Sequence, residues 1–366
     1  MSKLPLNPAL KGLPVYQPGR PIDEVAREFG LPAADIIKLA SNENPLGPSP
    51  KALAAMGEVL SRLHLYPDGS AFHLKNRLAA GLALRPENVI LGNGSNEIIE
   101  FVGHALMRPG AEIVVSQFCF AIYPLIARMM GASVVTVPAR DYGHDLEAMR
   151  RAITPSTTVV FVANPNNPTG TLASREALLA LVESVPPEVL LVVDEAYIEF
   201  LEEPLDLLPW IRSGARPNLL IMRTFSKIHG LAGLRLGYGI GSTELVEALE
   251  KVRQPFNINA LVQAAALAAL DDTDHVHQTR DTNRAGLEYL TRECLELGLT
   301  VVPSAANFLM VEVGDGQKVF LELQRRGVIT RPMGGYEMPR HIRISVGTQA
   351  ENRRCIEALR EVMAKA

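Results

Sequence analysis

The chain has 366 residues, 47% of them apolar and 21% charged, so it is long enough for more than one folded domain and too apolar to be disordered as a whole. Its 36 basic and 40 acidic residues leave a net charge of −4, which argues against nucleic acid as the main partner. The three widely spaced cysteines form no disulfide or zinc pattern, which predicts a reducing, cytoplasmic environment and no metal site. The N-terminus is not of the secretory-signal type, and no run of ~20 apolar residues is present, so no membrane span is predicted.

Short apolar runs alternate with helical patterns between about residues 85 and 245. The runs predicted as strands are 88–91, 112–115, 133–137, 158–163, 189–194 and 219–222, and a clear helical pattern covers 97–107. Several of these runs are apolar throughout, as is typical of strands that helices cover on both faces. The repeated order predicts an α/β domain in which a mostly parallel central sheet is flanked by helices.

The pattern changes after about residue 260. Long helical patterns cover 262–271 and 279–297, and short strands are predicted at 300–302, 308–313 and 341–345. We therefore expect a large domain over 41–260 and a smaller α+β domain over 261–366. The first 40 residues hold too little apolar surface to fold alone, so they are expected to form an arm that packs on one of these domains.

Polar segments follow several predicted strands, at the edge where open α/β sheets bind ligands. GNGSN at 92–96 lies between a strand and a helix, and its backbone N–H groups suit an anion, although a plain turn would explain it equally well. NPNNPTG at 164–170 contains two prolines, which hold Asn167 in a rigid loop. The two G-x-G strings, at 92–94 and 237–239, lack a third glycine at the required position, so no dinucleotide site is predicted.

Two further segments carry reactive side chains. Asp194, followed by Tyr197, ends a buried apolar run, where a carboxylate needs a cationic or hydrogen-bonding partner. TFSK at 224–227 places Lys227 after another strand, with Arg235 shortly beyond it. A lysine beside an acid, a phenol and an anion site is what pyridoxal phosphate requires of a protein, because its aldehyde, ring nitrogen, phenolic oxygen and phosphate each need a partner.

These strings, in this order, resemble the motifs of the fold-type I pyridoxal-phosphate aminotransferases. The shared strings are SNENP at 41–45, YPDG at 66–69, NPNNPTG at 164–170, DEAY at 194–197 and TFSK at 224–227 with Arg235. Within that family the chain most resembles the histidinol-phosphate aminotransferases. That closer match is carried by YQPGRP at 16–21, PFNIN at 255–259, NF at 307–308, GVITR at 327–331 and RISVGT at 343–348, so the resemblance covers about residues 14 to 360.

The resemblance implies a role for each cofactor-site residue. Lys227 would bond to pyridoxal phosphate and move the substrate Cα proton, and Asp194 would pair with the ring nitrogen. Tyr197 and Asn167 would contact the phenolic oxygen, and Phe118 would stack on the ring. The residues expected to hold the phosphate are Gly94, Ser95, Asn96, Ser226, Arg235 and, because the family forms homodimers with shared active sites, the partner subunit's Tyr66.

The resemblance also implies the substrates. Tyr16, Asn42, Arg331 and Arg343 would line the substrate site, with Arg343 binding the glutamate carboxylate. The implied reaction transfers the amino group of L-histidinol phosphate to 2-oxoglutarate, giving imidazole acetol phosphate and glutamate in histidine biosynthesis. The alternatives are a phenylalanine or tyrosine aminotransferase, a phosphothreonine decarboxylase, and a non-catalytic ligand sensor of a transcription regulator. Such a regulator carries a separate DNA-binding domain, for which the expected N-terminal arm of about 40 residues leaves no room.

Two positions depart from the family pattern. Phe118 lacks the hydroxyl that some members carry, although its ring could still stack. His229, two residues after Lys227, stands where members usually have an aromatic residue, and it either fills that place or hydrogen-bonds near the cofactor phosphate.

Overall fold

A computed structural model describes residue 4, residues 7–13, residue 15 and residues 19–365. Its helices, in chain order, are α1 (Ile22–Phe29), α2 (Pro50–Val59), α3 (Phe72–Gly81), α4 (Ser95–Leu106), α5 (Ile122–Met129), α6 (Leu146–Arg151), α7 (Arg175–Ser184), α8 (Leu208–Arg212), α9 (Thr243–Glu250), α10 (Ala260–Leu270), α11 (Thr273–Glu296), α12 (Gly316–Gln324) and α13 (Gln349–Met363). Its strands are β1 (Ile37–Lys38), β2 (Val89–Gly92), β3 (Glu112–Ser116), β4 (Ser133–Val137), β5 (Thr157–Ala163), β6 (Leu190–Asp194), β7 (Leu219–Thr224), β8 (Gly237–Ile240), β9 (Thr300–Val302), β10 (Phe308–Glu312), β11 (Val328–Ile329), β12 (Arg331–Pro332) and β13 (His341–Ser345).

A seven-stranded sheet forms the centre of the molecule, in the order β2-β8-β7-β6-β5-β3-β4. The five strands β7, β6, β5, β3 and β4 run parallel to one another. Strand β6 is buried along its whole length, because one apolar cluster covers each face of the sheet. Helices α4, α5 and α9 pack into one cluster, and α3, α7 and α10 pack into the other. The predicted α/β class with a mostly parallel sheet is confirmed.

Strand β8 is a feature that the apolar pattern does not predict. It is antiparallel to both of its neighbours, β7 and β2. Its glycines are required by packing, because a Cβ on Gly237 would lie 2.3 Å from the backbone nitrogen of Ser95. The G-x-G string at 237–239 therefore lets the first turn of α4 approach the sheet closely.

A second sheet lies in the C-terminal part of the chain. Its four strands are all antiparallel, in the order β12-β13-β10-β9. Strand β1 pairs in parallel with β11, which ties the segment before residue 40 to this region. In the described part of the chain, no helix is both long and apolar enough to cross a membrane.

Candidate active site

A cavity of about 390 Å³ lies at the carboxyl ends of the central strands. Ala163, Asp194 and Thr224 are the last residues of β5, β6 and β7, and all three line it. Parallel strands end at one edge of a sheet, so the loops that follow them converge there. Eleven of the predicted site residues line this cavity: Asn42, Ser95, Asn96, Asn167, Asp194, Tyr197, Ser226, Lys227, Arg235, Arg331 and Arg343.

One wall of the cavity is an anion cradle at the start of α4. Gly94 is the N-terminal cap residue, with a φ of 79°, and Ser95 is the first helical residue. A Cβ on Gly94 would lie 2.4 Å from Nη2 of Arg235, so the absence of a side chain at Gly94 leaves room for that guanidinium across the helix end. Unpaired backbone N–H groups, the helix dipole and a guanidinium together form a site for a phosphate.

Lys227 is the amine of the cavity. Its Nζ donates to the carbonyl oxygen of Ser41 at 3.3 Å and lies 5.8 Å from the centre of the Tyr197 ring. Burial, followed by the positive charge of Arg343, lowers the pKa of Lys227 to about 8. Roughly a tenth of the amine is therefore uncharged at pH 7, far more than for an ordinary lysine, and this form can attack a carbonyl carbon.

Asp194 supplies a buried carboxylate at the end of β6. Its Oδ2 accepts from the hydroxyl of Tyr123 at 2.7 Å, and its Oδ1 accepts from the backbone N–H of Ala196 at 3.1 Å. Burial raises the pKa of Asp194, whereas the two hydrogen bonds and the charge of Lys227 act in the opposite direction. The carboxylate is thereby held ready for a second, positively charged partner.

Tyr197 is fixed by a polar network behind the cavity. Its phenolic oxygen accepts from Nδ2 of Asn42 at 2.9 Å, and its ring packs edge-on against Phe308. Asn42 is in turn bonded to the hydroxyl of Ser345 through both its backbone N–H and its Oδ1. Burial is the main cause that raises the pKa of Tyr197 to about 12, so the phenol keeps its proton and can donate it to a ligand.

Two arginines stand side by side on the wall formed by the second sheet. Arg331 and Arg343 are directly opposite each other in the β12–β13 pair, and residues so paired project from the same face. Arg343 is buried, donates to Oδ1 of Asn167 at 2.6 Å and to the carbonyl oxygen of Ala40 at 2.9 Å, and lies 5.0 Å from the ring of Phe308. The cavity therefore has a second anion-binding wall, separate from the cradle at α4.

Phe118 and Tyr66 are two predicted residues that the structure does not bring to this cavity. Phe118 stacks on Tyr142, because it lies in the turn after β3 and faces the second sheet; the ring that lines the cavity belongs to Phe120. Tyr66 is 84% exposed and stacks on Phe256 at the surface. Tyr16 lies outside the described residues.

His229 also lies away from the cavity. Its ring stacks on Phe225 at 4.8 Å, and burial lowers the pKa of His229 to about 4. The neutral imidazole thus occupies an aromatic environment, which favours the interpretation that it fills the place of an aromatic residue.

Some lining residues escaped the sequence reasoning, notably Phe120, Tyr123 and Tyr336. Tyr123 lies in the apolar pattern of α5, where nothing local separates it from a core residue. Tyr336 follows two glycines in a short turn between β12 and β13, and its approach to the cavity depends on that turn.

The donor set defines what the cavity can hold. It combines a phosphate cradle, an amine of lowered pKa, a buried carboxylate and a protonated phenol within one space, and this is the set of partners that pyridoxal phosphate needs. Among the described residues, no group of three or more His, Cys, Asp or Glu side chains could hold a metal ion.

Comparisons with known proteins agree with this chemistry. The family model of aminotransferase class I and II matches residues 34–359. Histidinol-phosphate aminotransferase 2 of Ralstonia nicotianae is 50% identical over 98% of this chain and 96% of its own length, and histidinol-phosphate aminotransferase of Akkermansia muciniphila is 47% identical over 96% of both. The crystal structure of histidinol-phosphate aminotransferase from Sinorhizobium meliloti, in complex with pyridoxal-5'-phosphate, superimposes with a TM-score of 0.91 at 30% identity, covering 100% of this chain and 99% of that one. Aspartate aminotransferase from Thermus thermophilus with maleate gives a TM-score of 0.83 at 25% identity, over 98% of this chain and 99% of that chain.

Proposed function

The chain belongs to the class I and II aminotransferases, and on that premise we propose that it transfers the amino group of L-histidinol phosphate to 2-oxoglutarate, yielding imidazole acetol phosphate and L-glutamate. This is a step of histidine biosynthesis. The observation that carries the proposal is the pair Arg331 and Arg343, which supplies anion-binding capacity beyond the cofactor's phosphate cradle. Both the amino donor and the amino acceptor are anionic: histidinol phosphate is a phosphate monoester, and 2-oxoglutarate is a dicarboxylate.

Pyridoxal phosphate is the cofactor, and the residues present fit it. The cradle of Gly94, Ser95, Asn96, Ser226 and Arg235 would hold its phosphate. Asp194 would hold a proton on its ring nitrogen, and Lys227 would bond to its aldehyde carbon. Tyr197 and Asn167 would contact its phenolic oxygen, and Phe120, in place of Phe118, would cover its ring.

When bound, the cofactor would hold the substrate's amino group in place of Lys227 and would stabilise the electron pair that remains when the substrate Cα loses its proton. The Nζ of Lys227, no longer bonded to the cofactor, would take up that proton, which its lowered pKa allows near neutral pH. Asp194 keeps the ring nitrogen protonated and so stabilises the negative charge that develops. Arg343, held by Asn167 and Ala40, orients the substrate for this transfer.

Arginine suits a pocket that must accept two different anions in turn. Its planar guanidinium makes paired hydrogen bonds with either a carboxylate or a phosphate. We assign the carboxylate of glutamate to Arg343 and the phosphate of histidinol phosphate mainly to Arg331. The Arg343 side chain is the more buried of the two, which suits an anchor shared by both substrates.

A homodimer with shared sites is also proposed. Large apolar side chains are exposed between residues 53 and 72, and so is Phe256, which stacks on Tyr66. The exposed residues are Leu53, Leu60, Leu63, Leu65, Tyr66, Phe72 and Phe256. A monomer rarely leaves such a surface in water. We infer that a second copy covers it, and that the partner subunit's Tyr66 reaches the phosphate cradle of this chain.

Hybrid dimers test this sharing. Lys227→Ala and Tyr66→Ala chains, each impaired alone, are mixed after mild dissociation. If Tyr66 serves the opposite subunit, one site of each mixed dimer is intact and activity recovers. No recovery, despite dimers detected by light scattering, would contradict sharing.

A cytoplasmic location is part of the proposal. Cys119, Cys294 and Cys355 are buried free thiols, which suits a reducing compartment.

The substrate assignment is tested by half-reactions. Holoenzyme is mixed separately with histidinol phosphate, glutamate, phenylalanine and tyrosine, and the absorbance of the bound cofactor is followed. We expect the highest kcat/KM with histidinol phosphate. A higher value with phenylalanine or tyrosine would establish the aromatic alternative, and release of CO₂ from phosphothreonine would establish the decarboxylase.

A further inference from the structure

Tyr123 lines the cavity, but the reaction proposed above gives it no role. It is a fully buried residue of α5, and its hydroxyl donates to Oδ2 of Asp194 at 2.7 Å. Its ring stacks on Phe161 of β5 at 4.5 Å, with 10° between the ring planes. The helix and the strand therefore fix both the position of the hydroxyl and its direction toward the carboxylate.

The Tyr123 hydroxyl donates a hydrogen bond to one of the two carboxylate oxygens of Asp194. The other oxygen accepts a longer hydrogen bond, of 3.1 Å, from the backbone N–H of Ala196. A buried carboxylate without donors favours its protonated form, whereas donors favour the ionised form. Burial and the adjacent Asp194 also keep the pKa of Tyr123 well above its ordinary value, so the phenol stays a donor over the working pH range.

The Tyr123 ring also contacts Phe120, another residue that lines the cavity. Phe120 packs edge-on against Tyr123, with ring centres 5.6 Å apart and planes at 82°. Tyr123 thus supports both the carboxylate and the aromatic side chain that line the cofactor site. Replacing it by phenylalanine removes the hydroxyl and keeps the ring contacts, so the two functions can be separated.

We propose that Tyr123 is a positioning residue whose hydroxyl holds the Asp194 carboxylate in one orientation and lowers its proton affinity, so that the proton between Asp194 and the cofactor's ring nitrogen resides on the ring. This inference rests on the role proposed above for Asp194. It assigns the proton's location to a side chain that acts through its hydrogen bond to Asp194. Without the hydroxyl, the more basic carboxylate draws the proton toward itself, and the ring nitrogen loses positive charge.

The experiment uses full-length Tyr123→Phe, reconstituted with pyridoxal phosphate labelled with ¹⁵N in the ring. The ¹⁵N chemical shift reports directly where the proton is, and it needs no substrate. We expect the shift to move from the protonated toward the neutral pyridine value. The dissociation constant of the cofactor, measured by titrating the apoenzyme, should rise roughly 10-fold, because the hydrogen bond between the carboxylate and the ring nitrogen loses its charge and a charged hydrogen bond is stronger than a neutral one by about that factor.

Two further variants separate the possible results. Tyr238→Phe is the matched control, because Tyr238 is also buried in the central sheet region but its hydroxyl lies near Arg223 and not near Asp194. It should lower thermal stability about as much as Tyr123→Phe while leaving the ¹⁵N shift unchanged. Asp194→Asn gives the reference signal for a ring nitrogen that has lost its carboxylate partner.

The outcomes distinguish this inference from the proposed function. If Tyr123→Phe keeps the wild-type ¹⁵N shift and cofactor affinity while Asp194→Asn changes both, the role of Tyr123 is refuted and that of Asp194 stands. If Asp194→Asn also matches the wild type, the proposed role of Asp194 fails, and the inference falls with it. A shift in Tyr123→Phe equal to that in Tyr238→Phe would show a general structural effect and also refute the inference.

Discussion

Replacing Arg331 by alanine should separate the two substrates of the proposed reaction. Arg331 is half-buried in β12, opposite Arg343 in β13, and both line the cavity. The two side chains project from the same face of the second sheet, toward the carboxyl ends of the central strands. A substrate that fills the cavity can therefore meet both guanidinium groups, but a small carboxylate needs only one of them.

The size of the effect follows from the burial of the arginine and from the charge that it meets. Removing one partner from a desolvated charge pair costs ~2–4 kcal/mol. Each ~1.4 kcal/mol is a factor of ten, so kcat/KM for histidinol phosphate should fall between about 30-fold and several hundredfold. Glutamate should lose less than about tenfold, because its carboxylate is assigned to Arg343.

The assay is single-turnover kinetics of each half-reaction, followed by the absorbance of the bound cofactor. Arg343→Ala should impair both half-reactions, because both substrates share that anchor. Arg340→Ala is the control, since Arg340 is exposed, pairs with Glu312 at 2.7 Å and does not line the cavity. Equal losses for histidinol phosphate and glutamate in Arg331→Ala would refute a phosphate-specific role and favour the aromatic alternative.

Three other predictions concern the cofactor site. Burial lowers the pKa of Lys227 to about 8, so the uncharged amine predominates above that pH. The rate of covalent cofactor attachment to the apoenzyme should therefore rise with pH and reach half its maximum at about pH 8. A midpoint of ~10.4, the ordinary pKa of lysine, would contradict the effect of burial. Asp194→Asn should lower kcat at least ~10²-fold, since it removes the charge that holds the ring proton, and near-normal turnover would mean that another acid, such as Glu195, serves instead. Gly237→Ala should lower the free energy of unfolding by ~1–3 kcal/mol in denaturant titrations, because the new methyl group would meet the backbone of Ser95. The control Gly81→Ala, where only the end of the Arg77 side chain lies within 4 Å, should be close to neutral, and equal effects of the two substitutions would exclude the steric explanation.

Much of the fold could be predicted because its signals are local. A strand buried on both faces is apolar along its length, so β5 and β6 are visible in the sequence without knowledge of their neighbours. The same holds for the chemistry at strand ends: Asp194 closes β6, and Lys227 follows β7, so the carboxylate and the amine had to lie near one edge of a parallel sheet. These groups together indicated pyridoxal phosphate, and the resemblance to a family supported that inference.

The tertiary structure decided what depends on contacts between distant segments. Residues 237–240 are not predicted as a strand, yet they pair as one that is antiparallel to both neighbours, and their glycines leave room for α4. Phe118 and Phe120 are equivalent aromatic residues in the sequence, and only the course of the chain after β3 brings Phe120 to the cavity.

The Tyr123–Asp194 hydrogen bond and the pairing of Arg331 with Arg343 also depend on contacts between distant segments. The hydrogen bond between Tyr123 and Asp194 joins residues 71 positions apart, and nothing around Tyr123 in sequence distinguishes its phenol from a core side chain. The sequence alone placed Arg343 in a predicted strand, but whether it shares a face with Arg331 depends on the register of β12 against β13, since a shift by one residue would reverse it. Local pattern therefore determined the elements and the reactive groups, while register and packing determined which groups meet.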